Sequence, residues 1–464
     1  MKAHIFFAFV VFAAGTCTTR AEEGLDTRFG IEGYAFSDVT LASLDLPSKP
    51  VVQTDGKVLI CETGSVNRSG ESVSSYDTDF VVTRFMTNGT LDNGFGSAGH
   101  AFIDFDRGQD TCSDIAIDAE GRIVVVGSST QPADGSYRFL PAVARLNPDG
   151  SADATFGEDV GRIVLHQLAD DDHPIAAKRL LIQDDGRLLV TADVQGGGSV
   201  AVAFVTTRLD ANGRLDTTFA DHGSLRLDTE IGETDFIEFH EAGTIDGNRL
   251  IVVGSSTRSL ILTRFTRDGR IDGTFGDLGR TTIPADQTGL DTMAVLPDGR
   301  LVLATGEGFC GLGADHVLLR VMPDGRLDPT FGEAGRLILN RCSALVGIAP
   351  QADGSLVLAF EGNGGSSIWL IGHDGMPDHS FDLDLPTGAS PAPFGSGLGN
   401  MIANGPYLYL SGYLLESSAY DHALGLVSVV ARIERAAAIP PSHSSRPRPA
   451  LVPPAPARPA NRLR

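Results

Sequence analysis

Basic charge is scarce in this chain, lysine above all: it occurs only at positions 2, 49, 57 and 178 of 464 residues. With a formal net charge of −23, the protein has no field that would steer it to nucleic acid or to an anionic membrane surface. No segment reaches eighteen consecutive apolar residues, so no membrane insertion is expected. Cysteine is limited to five residues with no C-x-x-C pair, which argues against a zinc ribbon or a thioredoxin-like site. G-x-S-x-G, H-E-x-x-H, a phosphate-cradling loop and a dinucleotide glycine pattern are all missing. Glycine is abundant, at 55 residues, but lacks the strict Gly-x-y period of collagen. An apolar content of 42% excludes wholesale disorder.

The two ends read as separate from the fold. Lys2 followed by the apolar stretch Ile5 to Gly15 has the form of a secretory signal, too short to span ~30 Å of hydrocarbon. Thr19-Arg20-Ala21 supplies small residues at −3 and −1, which assigns residues 1–21 to the signal. A lipid anchor on Cys17 would place Thr16 at −1, where it fits poorly. Residues 436–464 hold eight prolines, five arginines and no acid. Such a stretch buries no core and reads as a disordered Pro/Arg-rich tail. With the signal's two and the tail's five positive charges set aside, residues 22–435 carry −30. The expectation is an exported monomer, periplasmic or extracellular.

The body is one phrase repeated. Leu-Asp-x-x-Phe-Gly reads LDTRFG from Leu25, LDNGFG from Leu91, ADATFG from Ala152, LDTTFA from Leu215, IDGTFG from Ile271 and LDPTFG from Leu327. A worn copy begins at Pro377. The anchors Phe29, Phe95, Phe156, Phe219, Phe275, Phe331 and Phe381 are spaced about 59 residues apart. Between anchors come a short apolar segment, a second one, an Asp-Gly or Asn-Gly turn, a β-branched run such as Ile123-Val124-Val125-Val126, and a last apolar segment. Asp-Gly between apolar runs is a strong hairpin signal, here read as a tight turn with both central residues at φ > 0. Four short strands per unit, with no convincing helix, predict an all-β protein: a seven-bladed β-propeller of four-stranded antiparallel blades.

The strings ARLNPDGSADATFG (Ala144 to Gly157) and TRFTRDGRIDGTFG (Thr263 to Gly276) resemble the bacterial delta-60 repeat. The resemblance covers Leu25 to Arg435. It implies a propeller repeat of exported proteins and no active residue. The single Trp369 argues against the tryptophan-rich repeats of quinone-dependent propellers.

An Arg precedes most of these turns by a fixed eight residues from the motif Asp, as in Arg145 and Asp153. That spacing suits a bidentate pair across the turn. Asp26 has no such Arg before it and Arg432 no such Asp after it, so the chain is cut inside one repeated turn. The ends are therefore expected to meet, with Arg432 beside Asp26. The recurring Phe is read as blade-to-blade core.

Chemistry is hard to find. Cys61, Cys112, Cys310 and Cys342 remain after the signal, and three pairings are open. Cys310 and Cys342 fall in consecutive units, as do Cys61 and Cys112; a bridge from Cys310 to Cys342 is expected, with four free thiols as the alternative. The run Asp170-Asp171-Asp172-His173 reads as a solvated loop. The [Asp/Asn]-Gly-x-Leu-Asp phrase lacks the alternating ligands of an EF-hand, and turn chemistry explains it. No catalytic, cofactor or metal residue is singled out, and no cofactor is expected. The expected function is a non-catalytic binding module for a protein or glycan, using the loops of Glu62 to Asp79, Thr130 to Leu140 and Asp382 to Asn400. The alternative is a hydrolase or lyase acting on extracellular carbohydrate at a central channel.

Overall fold

The computed structural model describes residues 24–434 apart from 40, 42–46, 66–76, 106–107, 134–135, 169–172, 197–200, 229, 232–235, 246–247, 257–258, 286–289, 307–315, 340–342, 363–364, 384–395 and 417–424. The proposed signal and tail lie outside the described residues, as does the run 170–172.

Seven antiparallel sheets follow one another as blades of a β-propeller. Blade 1 runs from its innermost strand Val51–Val52 through Val58–Ser65 and Thr78–Phe85 to the outermost, His100–Ile103. Blade 2 repeats the order with Asp110–Ile117, Ile123–Ala133, Ser136–Leu146 and Arg162–Val164. Blades 3 to 6 are alike and begin their second strands at Leu188, Arg249, Leu301 and Leu356. Blade 4 carries an added two-residue strand, Glu230–Ile231. Among the described residues the one helical element is the short 3-10 turn His166–Leu168, and no helix is long and apolar enough to cross a membrane.

The second strand of a blade shows why the sequence runs apolar without alternation. Val58 to Gly64 are all buried, because both faces of the sheet are covered by neighbouring blades. The period of two is still there, divided between two cores. Ile123 and Val125 pack with Leu59, Phe80 and Phe95 of blade 1. Val124 and Val126 pack with Leu180, Leu188 and Val190 of blade 3. A one-residue slip would exchange the two sets, so register is fixed from both sides.

The hairpin turns differ from the expected two-residue form. Only the Gly has positive φ (+83° at Gly56, +78° at Gly121), while the preceding residue does not. Gly56 N–H donates to Gln53 O, and Asp55 Oδ1 accepts from Lys57 N–H. The carboxylate caps the turn and a single left-handed Gly closes it.

Sequence repeat and blade are out of phase by one strand. The strand that follows Phe95, Phe156, Phe219, Phe275 or Phe331 pairs with the strand that precedes it, as His100–Ile103 pairs with Thr78–Phe85. The strand after Phe29, Tyr34–Phe36, therefore has its partner at the far end of the chain. It pairs with Gly425–Glu434, in register Tyr34 with Ala431, and supplies the outermost strand of blade 7.

Between the third and outermost strands lies the repeated turn. Arg145 Nε is 2.7 Å from Asp153 Oδ2, and Arg208, Arg264 and Arg320 repeat the pair with Asp216, Asp272 and Asp328 at 2.8–2.9 Å. Arg432 Nη2 is 2.7 Å from Asp26 Oδ2, which brings the two ends of the body into the same turn. Each guanidinium also reaches the next blade: Arg208 Nη1 donates to Arg267 O at 2.7 Å, Arg264 to Pro323 O at 2.6 Å and Arg432 to Thr87 O at 2.6 Å. It lies over the anchor ring as well, with Arg145 4.6 Å from the centre of Phe156 and Arg432 4.5 Å from that of Phe29.

Removing one partner of a desolvated pair strands the other charge. Arg145→Met should cost about 3–5 kcal/mol by urea unfolding, since Arg145 and Asp153 are both buried. Arg28→Ala should shift the urea midpoint far less, because Arg28 is 67% exposed beside the same type of Asp. Equal losses for the two would contradict the burial argument.

Candidate functional site

Strand direction alternates within a blade, so the two faces of the ring differ. The lower face carries the Asp-Gly turns and the Arg–Asp–Phe turns. The upper face carries the crossings between blades and the connections between second and third strands.

A central channel of about 350 Å³ opens where innermost strands meet. Leu181, Met293, Val346, Ile348 and Met401 give it an aliphatic wall, with Lys49, Arg179, Thr292 and Asn400 as its polar groups. Blades approach closely there: a Cβ on Gly347 would sit 2.8 Å from Met401 Cβ. The lining among the described residues includes no carboxylate. A glycosidase-type site needs two of them flanking a bond. Lys49 is held 3.5 Å from Asp114, whose own oxygens accept from Ile115 and Leu180 N–H at 3.0 Å each. Asp114 is a tie between blades 2 and 3, not a free base.

A second polar group lies at the seam of blades 7 and 1. The Thr83 hydroxyl donates to Glu62 and lies 2.8 Å from His100 Nδ1, while His100 Nε2 is 2.6 Å from Asp38 Oδ1. The order hydroxyl–imidazole–carboxylate matches a nucleophilic triad. Thr83 and Glu62 are fully buried, however, so no substrate reaches the hydroxyl. Burial raises the Glu62 carboxyl, and hydrogen bonds from Thr83 and Ser37 offset only part of that.

The third group is at the seam of blades 1 and 2. Asp79, Asp104 and Asp110 bring one carboxylate oxygen each within 4.8 Å of one another. Asp110 is pushed up to about 7, first by burial, with the charges of Asp79 and Asp104 adding to it. The same seam is closed by a disulfide between Cys61 and Cys112, with Cα atoms 6.0 Å apart. The expected Cys310–Cys342 bridge falls on positions outside the described residues.

The anchors need one correction. Phe29, Phe95, Phe156, Phe219, Phe275 and Phe331 are buried inside their turns. Phe381 is not in such a turn. Blade 6 turns tightly through residues 372–376, and Phe381 lies on the strand Pro377–Leu383, paired with Ile368 and only partly buried. Its copy of the motif has no Arg to organise a longer turn. The ring still packs at the closing seam, 3.0 Å from where a Cβ on Gly24 would be.

The supposed loop of Thr130 to Leu140 is also different. It is the end of a hairpin, with Thr130 paired to Phe139 and Pro132 to Tyr137. The strands Ile123–Ala133 and Ser136–Leu146 are 11 residues each, against 8 in the corresponding strands of blade 1. Tyr137 near the tip is 76% exposed. Aromatic residues at alternate positions, Tyr137 and Phe139, were the available sign of a continued strand. The loops before Asp79 and after Asp382 fall largely on residues outside the described set.

Residues 119–156 and 183–219 match the model of a domain of unknown function, DUF5122, described as a beta-propeller. The match supports a propeller repeat of unknown function. No curated protein sequence matches the chain. Among solved structures, a Lactobacillus plantarum protein is 12% identical, covering 82% of this chain and 99% of its own, with TM-score 0.44. A protein of unknown function from Bacteroides caccae is 12% identical over 72% of this chain and 94% of its own, with TM-score 0.36. Prolyl oligopeptidase B from Galerina marginata is 10% identical over 84% of this chain and 52% of its own, with TM-score 0.40. Below a TM-score of 0.5 these likenesses assign no activity.

Two effects of pH follow with opposite signs. Burial would raise Asp153 and Asp216, but bonds from Thr155 and Thr218 and the paired arginines hold them below the usual carboxylate range. A depressed folded pKa stabilises above the unfolded value near 3.8, and that stability is lost as pH falls. Asp110 has a raised folded pKa, so its stabilisation is present below about 3.8 and is lost as pH rises toward 7. In chelator-treated protein, melting temperature should peak near pH ~5 and decline toward pH 7. A flat profile from pH 5 to 7 would count against the raised carboxyl.

Reducing the Cys61–Cys112 bridge frees a 51-residue separation and should cost about 4 kcal/mol by the chain-entropy relation. Urea unfolding with and without reductant measures it. No loss would show that the bridge is not formed.

Proposed function

We propose that this protein is an exported, monomeric, non-catalytic binding module that takes a protein or glycan on its upper face. The observation that carries the reading is the long blade 2 hairpin, which projects a 76% exposed Tyr137 toward the face that holds the blade crossings. Tyrosine offers a large amphipathic contact at low entropic cost, and is enriched at binding surfaces. The aliphatic channel wall, without a carboxylate among its described lining, favours binding over hydrolase or lyase chemistry. The lower face, by contrast, is committed to holding blades together through its Arg–Asp–Phe turns. The fourteen-residue phrase supports reading the units as delta-60 repeats, and residues 1–21 support export.

The test is a glycan array and a defined peptide panel probed with the full mature chain. A ligand found for the wild type should bind Tyr137→Ser at least ~10-fold more weakly, the scale of a central aromatic contact. Turnover of a polysaccharide by the wild type, abolished by Met401→Trp in the channel, would replace this reading with the enzymatic one.

A further inference from the structure

We infer that Asp79, Asp104 and Asp110 form a calcium site that fastens blade 1 to blade 2. The three come from separate elements. Asp79 is the second residue of Thr78–Phe85, Asp104 follows the outermost strand of blade 1, and Asp110 opens the innermost strand of blade 2. Their carboxylate oxygens lie within 4.8 Å of one another. Calcium binds oxygens at ~2.3–2.6 Å, so ligands spread by up to ~5 Å still fit one coordination sphere.

The observation that points to a ligand is Asp110. It is completely buried, and its Oδ1 has no hydrogen-bond partner. Oδ2 accepts from Phe105 N–H at 2.7 Å. Asp79 and Asp104 have further polar partners. A buried carboxylate with an unsatisfied oxygen, beside two more carboxylates, is costly by itself, through desolvation and like-charge repulsion. A divalent cation relieves both.

The surroundings are built, not incidental. Thr78 Oγ1 accepts from Asp110 N–H and donates to Asp110 O, both at 3.0 Å. Phe105 O accepts from Ser129 Oγ and Gln131 Nε2 at 3.2 Å each. Arg162 donates to Asp104 O, and the Cys61–Cys112 bridge lies two residues beyond Asp110. An all-oxygen set selects a hard cation over zinc or copper. Magnesium keeps several waters and binds through one or two carboxylates, so three carboxylates, two of them buried, suit calcium better. This site is independent of the partner proposed for the upper face, and either reading stands if the other fails.

The test uses the full mature chain, freed of metal with a chelator at pH 7. Calorimetric titration with calcium should give one site per chain, and calcium should raise the melting temperature. Asp110→Asn should weaken calcium binding at least tenfold. The same variant without calcium should melt above the metal-free wild type, because the repulsion is gone; a purely structural Asp would give the opposite sign. If Asp110→Asn fails to fold, Asp104→Asn, at the less buried position, should show the same loss of calcium response. No binding by the wild type, an undiminished response in the variants, or magnesium matching calcium at equal concentration would each overturn the proposal.

Discussion

A guanidinium buried at six of the seven blade boundaries is the constraint on which the ring depends. Arg145, Arg208, Arg264 and Arg320 are 1–2% exposed, and a charge so far from water is tolerable only with its donors engaged. The turn engages them in several directions: the motif Asp, the Thr hydroxyl two residues on, the anchor ring and a carbonyl of the next blade. The last contact turns a local motif into a ring device. The guanidinium is satisfied only when the neighbouring blade is in place. The Phe-Gly step adds to it, since Gly157 N–H donates to Asn212 O and Gly276 N–H to Asp324 O in the next blade.

The one-strand offset between sequence unit and blade has the same consequence at larger scale. A chain whose repeats coincided with blades would close its ring through side chains alone. Here blade 7 is completed by Tyr34–Phe36 from the other end of the body, and its turn is assembled from Arg432 on one segment and Asp26 and Phe29 on the other. Asp26 N–H to Arg432 O at 2.9 Å and Glu434 N–H to Gly24 O at 3.1 Å continue the ladder across the gap. Closure thus uses the same bonds as the other boundaries that carry the Arg–Asp–Phe turn; blade 6, with Leu370 in place of the Arg, is the exception.

What repeats was legible in the sequence, and what does not repeat was not. The strand number, the blade number and the spacing of Arg and Asp come from short-range signals written several times, so one worn copy does little harm. Phe381 shows the limit. Its letters align with the anchors, but without an Arg or the long turn the residue falls on a strand. The hairpin of blade 2 was hidden for a related reason: Pro132 and Gly135 look like loop punctuation, although Pro132 lies beyond Ser129, where pairing with the innermost strand ends, and a proline is tolerated on such an edge. Asp79, Asp104 and Asp110 carry no motif at all. They are 25 and 6 residues apart and meet only because a blade crossing folds back over the start of a strand.

Three departures from the repeat fall together. The disulfide, the three-carboxylate cluster and the long hairpin all involve blades 1 and 2, and the Glu62–Thr83–His100 network borders them. A repeat needs no help at one boundary that it does without at the others, because the Arg–Asp–Phe turn is present there too, with Arg84 2.9 Å from Asp92. Among the described residues, extra fastening at this seam answers a demand particular to these blades. A hairpin longer than its neighbours and tipped by an exposed aromatic is such a demand, because load applied to a projecting lever is transmitted to the blade at its base. The cross-links lie at that base, on the upper half of the ring, away from the turns that hold it together below.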